Sequence, residues 1–335
     1  MRRYLVYLAS SAAFVGLLFA SFALYYGSVQ GDLTRIGGWS ERDFAPVAAQ
    51  PAIAQAPRAP SAGAADVLVL GDSFSQPNEW QSALFADARL SAHTTHFDAI
   101  GCLDNWVRWA LAQPARQAIV VQTVEREFVK RFRDRVTCRP NRTTNFDRPA
   151  DGHAAPHAAP ALAIDAGYLT RTTLNTGLAH FSSARTFRRG SVVNAPIDKG
   201  CANFTNMKSD RLLYYQFDEE RLKWTTEDVD RAIDNVRALQ ALFRDAGRRL
   251  VFVLIPDKLS VYQDCLALRD TAGETGPSAR LSSRLRAASV DAPDLHPVFA
   301  AARATTPDLY YPNNTHLSEN GYRLLARQVA AMLAK

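Results

Sequence analysis

Seven consecutive residues decide the fold: Val67-Leu68-Val69-Leu70-Gly71-Asp72-Ser73. The four branched aliphatic side chains are typical of a strand that is buried inside a parallel sheet. Gly71 then permits a sharp turn that a side chain would obstruct. We therefore expect Ser73 at the carboxyl end of a strand and the start of a helix, which is the edge where open α/β sheets bind ligands.

A serine at this edge has two interpretations. Its hydroxyl could be a nucleophile, because the helix N-terminus offers free backbone N–H groups to a developing oxyanion. Alternatively, Asp72 and Ser73 could do no more than cap the following helix. The rest of the chain has to decide between the two.

A second polar block lies near the other end of the chain. Residues 311–316 read Tyr-Pro-Asn-Asn-Thr-His, and they precede a final apolar helix. A serine after the first strand and a histidine before the last helix resemble the SGNH/GDSL hydrolase superfamily. In detail the chain is most similar to the periplasmic alginate O-acetyltransferase (AlgJ/AlgX-like) branch. The segments 120–127, 212–215 and 254–262 carry further resemblance, which covers roughly residues 65–335.

The resemblance implies a three-layer α/β/α domain of SGNH type, which is flavodoxin-like and built on a parallel sheet. The chain itself favours the same class, because apolar runs at 118–124 and 250–255 alternate with segments of helical period, such as 225–246. Further strands are predicted at 96–100 and 294–299. The helix at 225–246 opens with a capping signal at Thr225.

The resemblance also implies a mechanism. Ser73 is the expected nucleophile and His316 the expected base. The backbone N–H groups of Ser73 and Gly101 are the expected oxyanion donors, although Gly101 could equally be an ordinary turn glycine. The chemistry requires no cofactor and no metal.

The third catalytic residue departs from the family pattern. The family has aspartate two or three residues before the histidine, where this chain has Asn314 and Asn313. An asparagine carbonyl can orient an imidazole, but it cannot stabilise the imidazolium by charge. Asn314 could orient a working pair, Asp308 or Glu319 could substitute, or the domain could be an inactive relative that binds sugar. The first interpretation is favoured.

Four more residues are candidates for the oxyanion or substrate site. Asp72 precedes the nucleophile, and Arg126 follows the third strand, where many SGNH enzymes have an asparagine that this chain lacks. Arg126 could supply charge to the site, but an ion pair with a neighbouring glutamate, Glu125 or Glu127, is favoured. Lys258 and Tyr262 could contact substrate or hold a loop in place.

The 335 residues, 47% of them hydrophobic, suffice for one large domain. Residues 1–26 are almost wholly apolar after two arginines, which predicts an N-terminal membrane anchor; a cleaved signal peptide is the alternative. Both place the remainder in the bacterial periplasm. Residues 27–64 are predicted to form a tether that is flexible and rich in alanine and proline, and 65–335 the catalytic domain, with an insertion at about 139–200.

The four cysteines, at 102, 138, 201 and 265, show no zinc-binding spacing. In an exported domain they predict up to two disulfides, with Cys102–Cys265 as the expected pair; four free thiols are the alternative. His153 and His157 lie in a low-complexity stretch and are not expected to bind metal. The net charge is +6, but the sequence has no basic block of the nucleic-acid-binding type. Nucleic acid is therefore not an expected partner.

The expected function is O-acetyl transfer to an exopolysaccharide or cell-wall glycan through an acetyl-Ser73 intermediate. An inner-membrane protein of the membrane-bound O-acyltransferase type is implied by the resemblance as the acyl donor. A glycan O-acetylesterase and a non-catalytic polysaccharide-binding subunit of an export complex are the alternatives. A general lipase or thioesterase ranks last, because no apolar lid or acyl channel is visible in the sequence.

Overall fold

The structure is a computed structural model, and it describes residues 2–27, 31–114, 117–134, 146, 188–189, 191–267, 276 and 281–335. The strands in this part are β1 (Val67–Gly71), β2 (Ala92–His96), β3 (Ala118–Val124), β4 (Arg188–Arg189), β5 (Val192–Pro196), β6 (Arg211–Tyr215) and β7 (Leu250–Ile255). The α-helices are α1 (Arg2–Gly27), α2 (Asp32–Gly37), α3 (Glu41–Phe44), α4 (Glu79–Ala88), α5 (Leu103–Ala112), α6 (Phe128–Phe132), α7 (Thr226–Asp245), α8 (Lys258–Tyr262), α9 (Leu281–Ala287), α10 (Leu295–Ala302) and α11 (Glu319–Leu333).

A parallel sheet with the spatial order β2-β1-β3-β7 forms the centre of the domain. In its register, Val67 of β1 pairs with Ala92 on one side and with Ala118 on the other. The order matches the first four strands of the flavodoxin-like arrangement, whose ligands bind at the carboxyl edge where the strand order reverses. Ser73 follows the end of central strand β1 by two residues and therefore stands at that edge.

Both faces of the sheet are covered by helices. Val67 and Val69 belong to a core shared with α4, α10 and α11, whereas Leu68 and Leu70 belong to a second core shared with α5, α7 and α9. All five residues of β1 are buried, as expected for a strand covered on both faces. The α/β class with a parallel sheet is therefore confirmed.

Two of the predicted strands differ from the structure. The strand predicted at 96–100 lies earlier in the chain, at β2, because residues 97–99 form a 3₁₀ turn. In this turn, Nδ1 of His96 accepts a hydrogen bond from the backbone N–H of Asp98 at 3.1 Å. The prediction of a fifth strand at 294–299 is wrong, since this segment is in helix α10. Leu295 and Phe299, four residues apart, are both buried on one face of that helix.

A second, antiparallel sheet has the order β4-β5-β6 and precedes α7 in the chain. Cys201, which follows β5, forms a disulfide with Cys265. The predicted Cys102–Cys265 pair is therefore wrong. The backbone N–H of Asp198 bonds to the carbonyl of Cys265 at 2.7 Å, so the loop after β5 runs beside Cys265, a proximity that sequence spacing does not reveal.

The remaining predictions on cysteines and the insertion are tested only in part. Cys102 is also in a disulfide, so the alternative of four free thiols is wrong. Cys138, His153 and His157 lie outside the described residues, as does most of the insertion predicted at 139–200.

The N-terminal segment forms helix α1. No helix in the part of the chain that the structure describes combines the length and the apolar character needed to cross a membrane. The membrane anchor stays a prediction.

Residues 31–64 differ from the tether that their composition predicts. The segment 31–44 contains α2 and α3, and Leu33 and Phe44 are buried in a small core with β5 and β6. The alanine- and proline-rich part that follows is attached to the domain by hydrogen bonds, such as Ala56 N–H to Ser82 Oγ at 3.1 Å. Composition overlooks these contacts because they depend on polar groups far away in the sequence.

Candidate active site

The turn after β1 holds Ser73 in place through close packing. Gly71 leaves no room for a side chain, because an added Cβ would lie 2.4 Å from Oγ of Ser75. Gln122 on β3 supports the same turn: its Oε1 accepts hydrogen bonds from Ser75 Oγ at 2.6 Å and from the backbone N–H of Asp72 at 3.2 Å. Gly71 is thus required for space, in agreement with the prediction that a side chain at this position would obstruct the turn.

Asp72 belongs to the framework of the turn. Its buried carboxylate accepts hydrogen bonds from the backbone N–H groups of Phe74 and Val124 and from the side chain of Gln122, and it forms an ion pair with Arg131 at 2.9 Å. Burial works to raise the pKa of Asp72, but Arg131 and the hydrogen bonds outweigh it and keep the pKa below its ordinary value. These contacts show that Asp72 positions the turn. Its role as an oxyanion or substrate-binding residue stays a prediction.

Ser73, His316 and Asn314 come together although 243 residues separate the serine from the histidine. Oγ of Ser73 lies 3.0 Å from Nε2 of His316, and Nδ1 of His316 lies 2.8 Å from Oδ1 of Asn314. The buried ring of Phe74 packs against the imidazole at 4.7 Å between ring centres. The spacing is that of a nucleophile, a base and an orienting group.

A backbone contact defines the tautomer of His316. Oδ1 of Asn314 also accepts the backbone N–H of His316 at 3.0 Å. Because that N–H can only donate, the amide oxygen of Asn314, and not its NH₂ group, faces the ring. Nδ1 is therefore the protonated nitrogen, and Nε2 is free to accept the proton of Ser73.

Lys258 and Tyr262 hold the histidine loop and its surroundings in place. Nζ of Lys258 donates to the backbone carbonyls of Tyr311, Pro312 and Asn314 at 2.7, 3.0 and 3.1 Å. Tyr262 is fully buried. Both side chains are buried in the protein interior, which supports the alternative that they hold a loop. Contact of either residue with substrate stays a prediction.

Arg126 is in an ion-pair network, as favoured, but with other partners than expected. Its Nη1 lies 2.6 Å from Oδ1 of Asp257 and 3.3 Å from Oδ1 of Asp218, and both carboxylates are buried. Burial opposes the charge of Arg126, but the two aspartates outweigh it and raise the pKa of the guanidinium above its ordinary value. The predicted partners Glu125 and Glu127 are replaced by acids that are distant in sequence.

Gly101 lies in the loop before α5 with a φ of +65°, a conformation that favours glycine. It lines a cavity together with Cys102, Leu103 and Arg131; neither Ser73 nor His316 is among the described residues of its wall. Its role as an oxyanion donor remains a prediction.

Asp32, the first residue of α2, is a residue of the site that the sequence did not predict. Oδ1 of Asp32 accepts the backbone N–H of Thr315 at 2.8 Å, and Oδ2 lies 3.7 Å from Nδ1 of His316. Burial lowers the pKa of His316 below its ordinary value, Asp32 opposes this effect, and Arg126 adds to it. The apolar side chains at 33, 36, 39 and 44 were the available signal that this segment packs against the domain.

The two carboxylates considered as substitutes for the family's aspartate have other contacts. Asp308 accepts hydrogen bonds from the backbone and side chain of Thr205. Glu319 accepts the hydroxyl of Tyr311 at 2.5 Å. Of the substitutions considered, the structure therefore supports Asn314 as the orienting residue.

Glu79, the first residue of α4, provides a test of the electrostatics around Glu319. Burial raises the pKa of Glu79 to about 8 from an ordinary value of 4.5, and the Glu319 charge adds to the rise. The folded state therefore keeps the proton of Glu79 to a higher pH than the unfolded chain does. The contribution of protonated Glu79 to the stability of the fold is fully present below pH 4.5, and it is lost as the pH rises through about 8. Glu79→Gln should stabilise the protein at pH 8 by about 1 kcal/mol or more relative to its effect at pH 5.

Urea unfolding of wild type and Glu79→Gln at the two pH values checks this prediction. The matched control is Glu227→Gln, which changes a solvent-exposed residue in the first turn of α7 and should show no such difference. An effect of Glu79→Gln that is equal at both pH values would contradict the prediction.

A hydroxyl and an imidazole at the carboxyl edge of a parallel sheet define the class: an α/β domain with the serine–histidine arrangement of acyl-transferring enzymes. Residues 209–335 match the family model of the SGNH hydrolase-like domain of the acetyltransferase AlgX. The match supports an SGNH/AlgX-like assignment and a polysaccharide acetyltransferase or esterase type of function. It includes His316 and Asn314, whereas Ser73 precedes it. No curated protein and no solved structure gives a match.

Proposed function

We propose that the protein is a membrane-anchored periplasmic O-acetyltransferase that modifies an exopolysaccharide or cell-wall glycan through an acetyl-Ser73 intermediate. The observation that carries the proposal is the 3.0 Å contact between Ser73 Oγ and Nε2 of His316. The AlgX-type match of residues 209–335 supports acetyl transfer over other acyl chemistry.

This geometry supports the following first half-reaction. Nε2 of His316 takes the proton of Ser73 as Oγ attacks the acetyl carbonyl of the donor. The tetrahedral intermediate collapses when the donor's oxygen leaves and receives the proton from Nε2. Ser73 then carries the acetyl group as an ester.

The second half-reaction uses the same residues in reverse. Nε2 of His316 removes the proton from a sugar hydroxyl, whose oxygen attacks the acetyl-Ser73 carbonyl. Oγ of Ser73 leaves and recovers its proton. Water in place of the sugar hydroxyl would make the protein a glycan O-acetylesterase.

In the proposed system the donor is presented by an inner-membrane acyltransferase.

The transferase proposal predicts that acceptors change the fate of the acetyl group. The full chain is incubated with p-nitrophenyl acetate, with and without acidic or neutral oligosaccharides, and acetylated sugar and free acetate are quantified. We expect an effective oligosaccharide to become acetylated at the expense of free acetate.

Free acetate as the sole product, with every oligosaccharide left unmodified, would favour the esterase. Absence of any Ser73-dependent release would leave the polysaccharide-binding subunit as the better account. Ser73→Ala is the control for acetyl transfer that bypasses the site.

A further inference from the structure

The hydrogen-bond partner of Nδ1 of His316 is the neutral amide of Asn314, where a catalytic triad has a carboxylate. When His316 takes the proton of Ser73 it becomes an imidazolium, and a neutral asparagine stabilises that charge less than a carboxylate does. Asn314 is the residue that contacts Nδ1 directly, at 2.8 Å. A negative charge near Nδ1 therefore has to come from elsewhere if the pair is to work as a charged triad does.

Asp32 lies where such a charge is needed. Among the described residues, it is the one carboxylate within 4.0 Å of a ring nitrogen of His316, with Oδ2 3.7 Å from Nδ1. Its other oxygen is held by the backbone N–H of Thr315 at 2.8 Å. The carboxylate thus contacts both the backbone of the histidine loop and the Nδ1 side of the ring. Ser73 contacts the other ring nitrogen, Nε2.

The segment that carries Asp32 is fixed to the histidine loop. The carbonyl of Asn313 accepts the backbone N–H of Leu33 at 3.0 Å, and the backbone at Gly31 passes so close to Asn313 that an added Cβ would lie 2.2 Å from its carbonyl oxygen. The side-chain amide of Asn313 donates to Glu41. The first part of the expected tether is thereby a wall of the site.

We propose that Asp32 and Asn314 divide the role of a single catalytic carboxylate: Asn314 orients the imidazole, and Asp32 supplies the negative charge that stabilises it when protonated. The inference deepens the proposed function and rests on it for its catalytic meaning. It assigns Asp32 as a positioning and charge-stabilising residue that acts through His316.

The other charged groups around His316 are already paired. Asp72, near the serine side, is bound to Arg131. Arg126 is bound to Asp257 and Asp218. Lys258, which interacts electrostatically with Asp32, donates to three backbone carbonyls. Of the acids that oppose the fall in the pKa of His316, Asp32 has the larger effect and Asp72 the smaller one.

The test measures the pKa of His316 in the full chain by NMR titration of its ring, with His316→Ala to assign the signal. Asp32→Asn removes the charge and keeps an oxygen for Thr315, so the pKa of His316 should fall below that of wild type. The charge-swapped double variant Asp32→Asn/Asn314→Asp should restore it. Glu41→Gln, which weakens the same segment without changing the charge beside the ring, is the matched control and should leave the pKa of His316 unchanged.

The rate of acetyl release from p-nitrophenyl acetate is the second measurement. Asp32→Asn should lower kcat/KM by about tenfold to a hundredfold and shift the acidic limb of the pH profile downward, because a weaker base loses its proton at lower pH. The double variant should recover most of the loss. A merely structural role would lower the rate without moving the limb.

The outcomes separate the inference from the proposed function. An unchanged pKa of His316 in folded Asp32→Asn overturns the inference even if Ser73-dependent chemistry is intact. A lowered pKa with no Ser73-dependent chemistry in wild type sinks the proposed function and keeps the charge role of Asp32. Asp32→Thr, which retains an oxygen acceptor but no charge, gives the same comparison if Asp32→Asn does not fold.

Discussion

Replacing Ser73 with alanine should reduce the release of p-nitrophenol from p-nitrophenyl acetate by about a thousandfold or more. The hydroxyl lies 3.0 Å from Nε2 of His316, which places it within hydrogen-bond reach of the base. His316→Ala should cost about as much, because nucleophile and base act as a unit. For the same reason the double variant should be hardly slower than either single variant.

The matched control is Ser75→Ala, the same substitution two residues further along. Oγ of Ser75 is bound to Gln122 and to Trp80 Nε1, so this variant should lose stability while Ser73 still becomes acetylated. Steady-state kinetics on folded protein separates the two effects. Equal rates for wild type and Ser73→Ala would remove Ser73 as the nucleophile.

Replacing Arg126 with methionine should destabilise the fold by about 3–5 kcal/mol. The substitution leaves Asp218 and Asp257 buried side by side without their cation. Burial raises the pKa of Asp218 to about 6 even with Arg126 present, and loss of Arg126 should raise it further. A carboxyl group whose pKa is higher in the folded than in the unfolded state makes the protein less stable as the pH rises. The destabilisation caused by Arg126→Met should therefore be larger at pH 8 than at pH 5.

Urea unfolding of both proteins at these two pH values measures the effect of Arg126→Met. Arg133→Met provides the control, since Arg133 pairs with Asp134 and Asp228 at the solvent-exposed surface and should matter little. The double variant Arg126→Met/Asp257→Asn should recover part of the loss by removing one stranded charge. A free energy of unfolding for Arg126→Met equal to that of wild type would contradict the ion-pair account.

The sequence was most informative where local pattern and tertiary structure agree. β3 and β7 lie at the predicted residues because both strands are predominantly apolar and buried on both faces. Helix α7 begins after Thr225, as predicted, since the capping box is entirely local. The resemblance to the SGNH superfamily brought Ser73, His316 and Asn314 into one hypothesis, and the structure places these three residues in contact.

Three of the differences between prediction and structure concern partners that are distant in sequence. The Cys201–Cys265 disulfide, the aspartates beside Arg126 and the contact of Asp32 with His316 all join segments that only the folded chain brings together. Residues 31–44 were included in the predicted tether because the segment after them is rich in alanine and proline. Their own apolar side chains belong to a small buried cluster. The fifth strand failed since Leu295 and Phe299 have the spacing of a helix face.

The most direct test of the central claim is the location of the acetyl group. The full chain is mixed with p-nitrophenyl acetate, quenched in acid within the first turnover, and mapped by peptide mass spectrometry. The account predicts one acetyl group, as an ester on Ser73, which is absent from Ser73→Ala and strongly diminished in His316→Ala. Acetyl release by wild type with Ser73 never modified, or modification elsewhere that persists in Ser73→Ala, would contradict the account.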